Sequence, residues 1–358
     1  MECPQHGPAQ LPLARFCAEC GVQLSVGVSD QALSQRELAY RENTLVSCGE
    51  LFVVCDSSGM LHALDAGLSD LAESIPCPDL LNDFAPNTAD GYLYLASSQG
   101  LYVVDLVEWV QGCAVQPVLL YPLPSRSGIS VVGGEVSTVV CAQGSNELIL
   151  GKGLSVTEQI PLPALQPILY TYAPAIASGF AFITQRSSDV VIVCTLRDRV
   201  AKQQNLGGAC LFSTPSLAGI ACLVEANGGK RIVEMTPTGA TVLIPSVPID
   251  TTWLLCGRSR GVYLWGNGSS VTVLTNRGPR QKKESGNIGV PIVAGGRAIF
   301  ISQDSVSSQV LSIDLSTGLD GSAAHIGKFG YTEVACAGSR LIVGNGRQIK
   351  SIAAEPRC

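Results

Sequence analysis

Short apolar runs, separated by a few polar residues, recur along most of the chain. One unit begins at Gly49 and reads Leu-Phe-Val-Val-Cys, then Asp-Ser-Ser-Gly, then Met-Leu-His-Ala-Leu-Asp, and it ends at Asp65. A second unit runs from Gly91 to Asp105 in the same order. β-branched and other apolar residues dominate these runs, and few windows keep a helical periodicity over ten residues. Each unit therefore predicts a β-hairpin.

The hairpin pattern repeats at a nearly constant spacing. Similar units start near six further glycines, which are Gly134, Gly179, Gly219, Gly261, Gly296 and Gly338. The steps between the eight glycines are 42, 43, 45, 40, 42, 35 and 42 residues, which is the period of a four-stranded propeller blade. The sequence predicts an all-β fold, an eight-bladed β-propeller, or a seven-bladed one if one unit is not a hairpin. We expect the leading glycines to take a positive φ, or alternatively to mark loops.

Both chain ends are expected to meet in the last blade. The chain stops soon after the eighth hairpin, so an outer strand must come from elsewhere, and the segment from Glu37 to Leu45 is the candidate. Residues 31–41 could alternatively form a short helix capped by Ser29 or Asp30. The expected organisation is a small N-terminal module at 1–25, a linker at 26–36, and the propeller at 37–358. In the last hairpin, Asn345 and Gly346 occupy the position of a tight primed turn.

The repeat resembles a known family. Its order of glycine, apolar strand, Asp-x-x-Gly turn and apolar strand ending in Ala-Leu-Asp, as in 49–65, is similar to the quinoprotein (PQQ-like) β-propeller repeat. The resemblance covers about residues 40–358 and is closest in two or three units, with a looser copy at 310–318. The tryptophan-aspartate repeat fits less well, because no tryptophan of this chain precedes an aspartate. The resemblance implies the architecture more than an activity.

The first twenty-one residues carry four potential metal ligands. Cys3-Pro-Gln-His6-Gly and Cys17-Ala-Glu-Cys20-Gly are two copies of one pattern: ligand, two residues, ligand, glycine. This spacing lets two donor atoms reach one ion, so the set predicts a structural Zn²⁺ site that resembles a short zinc ribbon. The alternatives are a chance grouping and a redox Cys-x-x-Cys, which would need a βαβ context. So short a module is expected to fold only with its ion.

Composition and charge restrict the class of protein and the compartment that we expect. The chain is 46% hydrophobic and 15% charged, with a net charge of −6, which does not favour a dedicated nucleic-acid binder. Its apolar runs are shorter than the roughly 18 to 20 residues that a spanning helix needs, and no secretory signal opens the chain. We therefore expect a soluble cytoplasmic protein. Several of the fourteen cysteines, such as Cys55 and Cys194, lie in apolar runs and are expected to be reduced and buried.

No assembled catalytic group is evident. Asp56, Asp65, Asp105 and Asp314 stand at turns or strand ends, where aspartate commonly accepts hydrogen bonds from neighbouring amides. The three histidines, His6, His62 and His325, form no metalloprotease motif, and His62 is expected to be a partly buried strand residue. Gly257-Arg-Ser259-Arg-Gly261 matches Gly-x-Ser-x-Gly, but a β-type run follows where a nucleophile elbow needs a helix.

One segment is basic and contains Arg277, Arg280, Lys282 and Lys283. Glycine and proline in it predict a loop projecting from the sixth blade. Such a loop could contact an anion or an acidic partner, or be an ordinary solvated surface.

These features predict a non-enzymatic adaptor that binds other proteins, with one structural Zn²⁺. Its architecture is similar to adaptor subunits of bacterial multi-protein systems. The first alternative is an oxidoreductase dependent on quinone or another cofactor, for which no convincing set of calcium ligands is found. The second is a nucleic-acid adaptor that uses the ribbon and the basic segment. The partner and the oligomeric state are left open.

Overall fold

A computed structural model describes most of the chain. The described residues are 2–3, 7–8, 32–39, 42–48, 51–77, 81–87, 91–97, 100–122, 130–133, 139–142, 147–163, 172, 174–257, 262–275, 278–283, 287–289, 291–294, 297–303, 308–314, 324–327, 333–337 and 340–353. They form eight antiparallel sheets of four or five strands and one two-stranded pair.

The first four sheets follow one another along the chain, each with its strands in sequence order. Their strands are β4–β7 (Glu42–Cys48, Leu51–Asp56, Met60–Asp65, Ile75–Pro76), β8–β11 (Leu81–Asn87, Tyr92–Ser97, Gly100–Asp105, Val118–Pro122), β12–β15 (Ser130–Gly133, Val139–Ala142, Glu147–Lys152, Ser155–Pro161) and β16–β19 (Ala175–Ala177, Phe180–Thr184, Val190–Thr195, Val200–Asn205). A five-residue helix, α1 (Leu106–Val110), lies between β10 and β11.

The next three sheets continue the pattern, and the eighth combines the two ends of the chain. Their strands are β20–β23 (Ala209–Pro215, Ile220–Ala226, Gly229–Thr236, Gly239–Val247), β24–β27 (Trp253–Gly257, Val262–Gly266, Ser270–Thr275, Gly278–Lys283), β28–β32 (Asn287–Ile288, Ile292–Ala294, Arg297–Gln303, Ser308–Asp314, Ala324–Gly327) and β33–β35 (Glu333–Ala337, Arg340–Asn345, Gln348–Ala353) with β3 (Ala32–Glu37). The remaining pair is β1 (Glu2–Cys3) with β2 (Gly7–Pro8).

Each of the eight predicted hairpins is formed, and each supplies the two central strands of a different sheet. The hairpin predictions are therefore confirmed. Gly91 and Gly179 have φ values of +76° and +79°, as expected for leading glycines. The last turn is shifted by one residue from its predicted position. Asn345 still pairs with Gln348, so the two turn residues are Gly346, at φ +60°, and Arg347.

The sheets close into a ring through their side chains. Because side chains alternate along a strand, each central strand buries one set of residues on each face. Phe52 and Val54 pack in a cluster shared with the eighth sheet, whereas Val53 and Cys55 pack in a cluster shared with the second. Eight such clusters join consecutive sheets, and one of them joins the eighth sheet to the first. The core is therefore distributed around the ring.

The two ends of the ring can be told apart from the connections. The lower face is the end of the ring at which first strands connect to second strands and third strands connect to fourth strands. The upper face is the opposite end, at which second strands connect to third strands. The first strands of consecutive sheets contact one another, for instance β4 with β8 and β20 with β24, so they line the centre. The fourth strands lie at the rim.

The ring is closed by a strand that differs from the predicted one. Ala32–Glu37 pairs antiparallel with β35, so the outer strand of the eighth sheet comes from the N-terminal side, as expected. However, the predicted segment from Glu37 to Leu45 contributes only its first residue to this strand, and Glu42–Cys48 is instead the inner strand of the first sheet. The predicted linker at 26–36 is therefore wrong from Ala32 onward. The alternative helix at 31–41 is wrong as well.

No helix in the described part of the chain is both long and apolar enough to span a bilayer.

Candidate functional site

The N-terminal cysteine segment is described only at its beginning. Cys3 in β1 is the register partner of Gly7 in β2, so the chain reverses direction between them. His6, Cys17 and Cys20 lie outside the described residues. Within the described ranges, no group of three or more His, Cys, Asp or Glu side chains could hold a metal ion.

The basic segment is a strand, and the predicted loop is wrong. Gly278–Lys283 is β27, the outermost strand of its sheet, with Arg280 opposite Val273 and Lys282 opposite Val271. Proline lacks an N–H donor, but an edge strand tolerates it because one side of the strand has no ladder partner to supply. Alternation places Arg280 and Lys282 on one face, and the side chain of Arg280 is exposed. Arg277 lies outside the described residues.

Asp56, Asp65 and Asp105 accept hydrogen bonds from backbone amides, as predicted. Oδ1 of Asp65 accepts hydrogen bonds from the N–H groups of Gly67 and Ser69, both at 2.8 Å. Asp105 caps helix α1 by accepting from the N–H of Glu108 at 2.9 Å. Asp56 accepts from the N–H groups of Ser58 and Met60.

Asp56 does more than close a turn, because it also holds a histidine. It is 2% exposed, and besides the two amides it accepts a hydrogen bond from the Ser58 hydroxyl at 2.6 Å. Its Oδ2 lies 2.9 Å from Nε2 of His62. Burial alone would raise the pKa of Asp56, but the hydrogen bonds from Ser58, His62 and Met60 outweigh it and hold that pKa below the usual range. The carboxylate therefore stays charged and fixes the imidazole.

His62 lines an open cleft of about 640 Å³ at the rim, where the eighth sheet meets the first. Arg36 of β3 forms one wall, and the connection between β6 and β7 forms the other with Asp70 and Glu73. Nη1 of Arg36 donates to the carbonyl oxygen of Leu68 at 3.1 Å and lies 3.0 Å from Oδ1 of Asp70. The cleft thus crosses the junction at which the ring closes.

His62 lies in a strand and is half-buried, as its sequence context predicted, but the cleft beside it was not predicted. The spacing of Asp56 and His62 could have indicated that the two residues are close. Asp56 ends the strand before the turn and His62 lies in the strand after it, so the hairpin brings them together. The sequence could not indicate that Arg36 belongs to this cleft, because Arg36 reaches Asp70 only through the closure of the ring.

The other nucleophile candidates have structural surroundings. Gly257 ends β24, and the next described element is strand β25, so the Gly-x-Ser-x-Gly match connects two strands of one sheet. Ser259 itself lies outside the described residues. Cys55 and Cys194 are free and buried, as predicted. Burial also raises the pKa of Cys48 to about 12, so this thiol stays protonated at neutral pH.

Comparisons with known proteins define the class of fold. No protein-family model matches the sequence, and no curated protein matches it either. Among solved structures, the computationally designed Ika8 protein matches with a TM-score of 0.67 and 12% identity, over 90% of this chain and 99% of that one. The Dos1 propeller matches with a TM-score of 0.61 and 11% identity, over 90% and 94%.

A third solved structure, the WD40 domain of SCAP from fission yeast, matches with a TM-score of 0.55 and 11% identity, over 89% of this chain and 96% of that domain. At these identities the similarity concerns the fold alone. The chain is an all-β protein of the β-propeller class.

Proposed function

We propose that this protein is a non-enzymatic adaptor in which a rigid propeller carries an N-terminal zinc-binding tag and binds other proteins through its lower face. In this proposal each of the eight sheets is one blade of the quinoprotein type. Cys3, His6, Cys17 and Cys20 hold one structural Zn²⁺ that stabilises the tag, and the protein acts in the cytoplasm.

Four consecutive sheets each carry an exposed apolar side chain at the lower face. Val107, Leu154, Val200 and Leu217 are 49%, 54%, 45% and 59% exposed, and they belong to the second, third, fourth and fifth sheets. All four lie in or beside connections between first and second or third and fourth strands. A row of apolar side chains on one face is typical of a protein-binding surface.

The upper face differs in composition. Its described turns consist mostly of polar residues and glycine, as at 57–59, 185–189, 227–228 and 267–269. Within the described residues, Ile249 is the one large apolar side chain above a third exposed in a connection at that end. The contrast favours the lower face for docking an apolar surface of a partner protein.

Capture of partners from cell extract of the source organism tests this proposal. The bait is the full chain, and the test variant replaces Leu154 and Leu217 with serine. The control replaces Ile249, which is as exposed as Leu217, with serine. We expect a stoichiometric partner with the wild-type and Ile249→Ser baits and its loss with the double variant. Equal recovery by all three baits, or no stoichiometric partner at all, would contradict the proposal.

A second candidate, binding of nucleic acid, is favoured by the position of β27. Arg280 and Lys282 share one face of a rim strand in an otherwise acidic chain. Retention on DNA or RNA should then weaken with salt and with the double change Arg280→Glu and Lys282→Glu, because phosphate contacts release counterions. The control is Lys152→Glu, an exposed cation of the lower face. If retention changes neither with salt nor with the double change, nucleic-acid binding through β27 is rejected.

A further inference from the structure

The cleft between Arg36 and the β6–β7 connection lies at the junction of the eighth and first sheets, apart from the exposed apolar side chains of the second to fifth sheets. Its lining includes the polar side chains Arg36, His62, Asp70, Glu73 and Ser74, with Leu71 at 39% exposure beside them. Nothing in the proposed adaptor function uses these groups. A cleft of about 640 Å³ is in the size range of small-ligand pockets and can admit one extended side chain.

The walls of the cleft are held in place by the fold. The N–H of Leu71 donates to the carbonyl oxygen of Ala63 at 2.9 Å, so the connection runs along β6. The indole N–H of Trp109, which is 1% exposed, donates to the carbonyl oxygen of Glu73 at 2.8 Å. On the opposite wall, Arg36 is tied to Leu68 and Asp70. A ligand would therefore meet a surface that is already ordered, which lowers the entropic cost of binding.

His62 presents a hydrogen-bond acceptor to this cleft. Because the buried carboxylate of Asp56 faces Nε2, the neutral imidazole carries its proton there and keeps a lone pair on Nδ1. A carboxylate behind a histidine fixes the orientation of the ring and makes the second nitrogen a better acceptor. Among the described residues, Nδ1 has no hydrogen-bond partner of its own.

The charges around the cleft favour a cation. Arg36 and Asp70 compensate each other at 3.0 Å. Glu73 is exposed and forms no ion pair within the described residues, and Asp56 adds a buried negative charge behind His62. Lys350 does not offset them, because it pairs with Gln35, next to Arg36, and alternation directs it to the opposite face of the eighth sheet.

We propose that this cleft binds a single alkylammonium group, as carried by a lysine side chain or a free polyamine. The ammonium group donates to Nδ1 of neutral His62 and is neutralised by Glu73, while Leu71 contacts the alkyl chain. This site goes beyond the adaptor proposal and does not depend on it. In the cleft His62 faces Asp56, Asp70, Glu73 and Arg36.

Calorimetric titration of the full chain with N-acetyl-lysine amide and with putrescine tests the site. We expect a dissociation constant of about 1 mM for the favoured probe. Tighter binding of N-acetyl-lysine amide would assign the cleft to protein side chains, and tighter binding of putrescine would assign it to free amines. N-acetyl-glutamine amide, which has no charge, is expected not to bind.

Two variants locate the binding. Glu73→Gln should weaken it about five-fold, as expected for one exposed charge pair. The matched control is Glu108→Gln, which removes an exposed carboxylate outside the cleft and should leave the affinity unchanged. His62→Gln removes the imidazole acceptor and identifies the His62 signal in NMR spectra, because only three histidines are present.

The NMR signal of His62 separates this site from general attraction to an acidic protein. Binding of the probe should shift the His62 imidazole signal. The proposal is overturned if that signal does not move at saturating probe, or if Glu73→Gln and Glu108→Gln weaken binding equally. If His62→Gln does not fold, the Glu73→Gln comparison and the wild-type imidazole signal still decide.

Discussion

Asp56 illustrates how one buried charge can be kept by local geometry. Its carboxylate accepts hydrogen bonds from Ser58, Met60 and His62. The desolvation of a buried charge is costly, and these bonds offset it because they persist in the folded state. The same residue therefore closes the turn after β5 and orients the cleft histidine. A sequence pattern indicates the first role, but the second depends on the register of the hairpin.

Replacing Asp56 with alanine should destabilise the ring and flatten its response to acid. We expect a loss of about 3 kcal/mol in the free energy of unfolding at neutral pH, because two backbone donors, the Ser58 hydroxyl and His62 lose a buried acceptor. The pKa of Asp56 is lower in the folded chain than in the unfolded chain, so its contribution is present above the unfolded value and is lost as the pH falls through the folded one. Urea unfolding at several pH values measures both effects.

The control for this change is Asp198→Ala, at an exposed turn residue between β18 and β19. It should alter the unfolding free energy by less than about 0.5 kcal/mol. If Asp56→Ala kept the acid dependence of the wild-type chain in full, the stabilising role of the carboxylate would be wrong.

Gly219 shows that one glycine position of the repeat serves two different physical needs. Gly91 and Gly179 have positive φ values, whereas Gly219 does not. A Cβ on Gly219 would lie 2.1 Å from the carbonyl oxygen of Met235 and 2.9 Å from Cζ of Phe182. The repeat therefore needs glycine there for close packing rather than for backbone conformation.

Gly219→Ala should consequently destabilise the protein by about 3 kcal/mol, since backbone atoms must move to admit the methyl group. Gly229→Ala is the matched control in the same sheet, because the nearest atom to its added Cβ is 3.9 Å away. Thermal unfolding of both variants gives the comparison. Equal midpoints for the two variants would rule out the close-packing explanation.

At the scale of elements, the sequence predicted the inner hairpins well and the outer strands poorly. Central strands such as Leu51–Asp56 are buried on both faces, so they appear as continuous apolar runs that are easily found. Outer strands such as Val200–Asn205 and Gly278–Lys283 are largely polar and lack that signal. The basic segment was therefore predicted to be a loop. It forms a strand because an edge strand needs hydrogen-bond partners on one side only, and β26 supplies them.

The closing strand β3 was missed for the same reason. Ala-Leu-Ser-Gln-Arg-Glu has no clear alternation, and its place is decided by the vacant edge of β35. Once there, it contributes contacts to the first sheet as well. Leu38 packs in the cluster that joins the eighth sheet to the first, and Arg36 reaches Asp70. The hydroxyl group of Ser351 in β35 also donates a hydrogen bond to the carbonyl oxygen of Ala66 at 2.7 Å.

Two truncations separate the closing strand from the segment before it. Removal of residues 1–31 should leave the thermal midpoint of the ring unchanged, because β3 and Leu38 are retained. Removal of residues 1–41 should lower it and promote association, since the loss of Leu38 costs about 3 kcal/mol and the edge of β35 becomes free. Calorimetry and light scattering measure the two effects. Identical midpoints for the two truncations would contradict this account of closure.

At the scale of the whole molecule, periodicity predicts the repeated sheets but not the sites between distant segments. The eight clusters between sheets follow from the alternation of apolar residues, which the sequence contains. The cleft of Arg36 and His62 instead arises because residues 36 and 70 meet across the ring closure. The proposed N-terminal tetrad is the opposite case, because the spacing of its four candidate ligands is local and its prediction does not depend on the fold.

The last prediction concerns the independence of the tag and the ring. Among the described residues, every member of the eight clusters lies between Leu38 and Ile352, and Cys3 is not one of them. The proposed Zn²⁺ should therefore contribute to the order of the tag and not to the unfolding of the ring. Metal analysis should find about one zinc per chain in the wild type and none in the Cys17→Ser, Cys20→Ser variant.

The control is Cys113→Ser, which removes an exposed thiol of the second sheet and should keep the zinc. Chelation of the wild type should change the NMR signals of the tag while the calorimetric midpoint of the ring stays the same. A midpoint that falls on chelation would mean that the ion also stabilises the ring, and the adaptor proposal would then have to treat tag and ring as one folding unit.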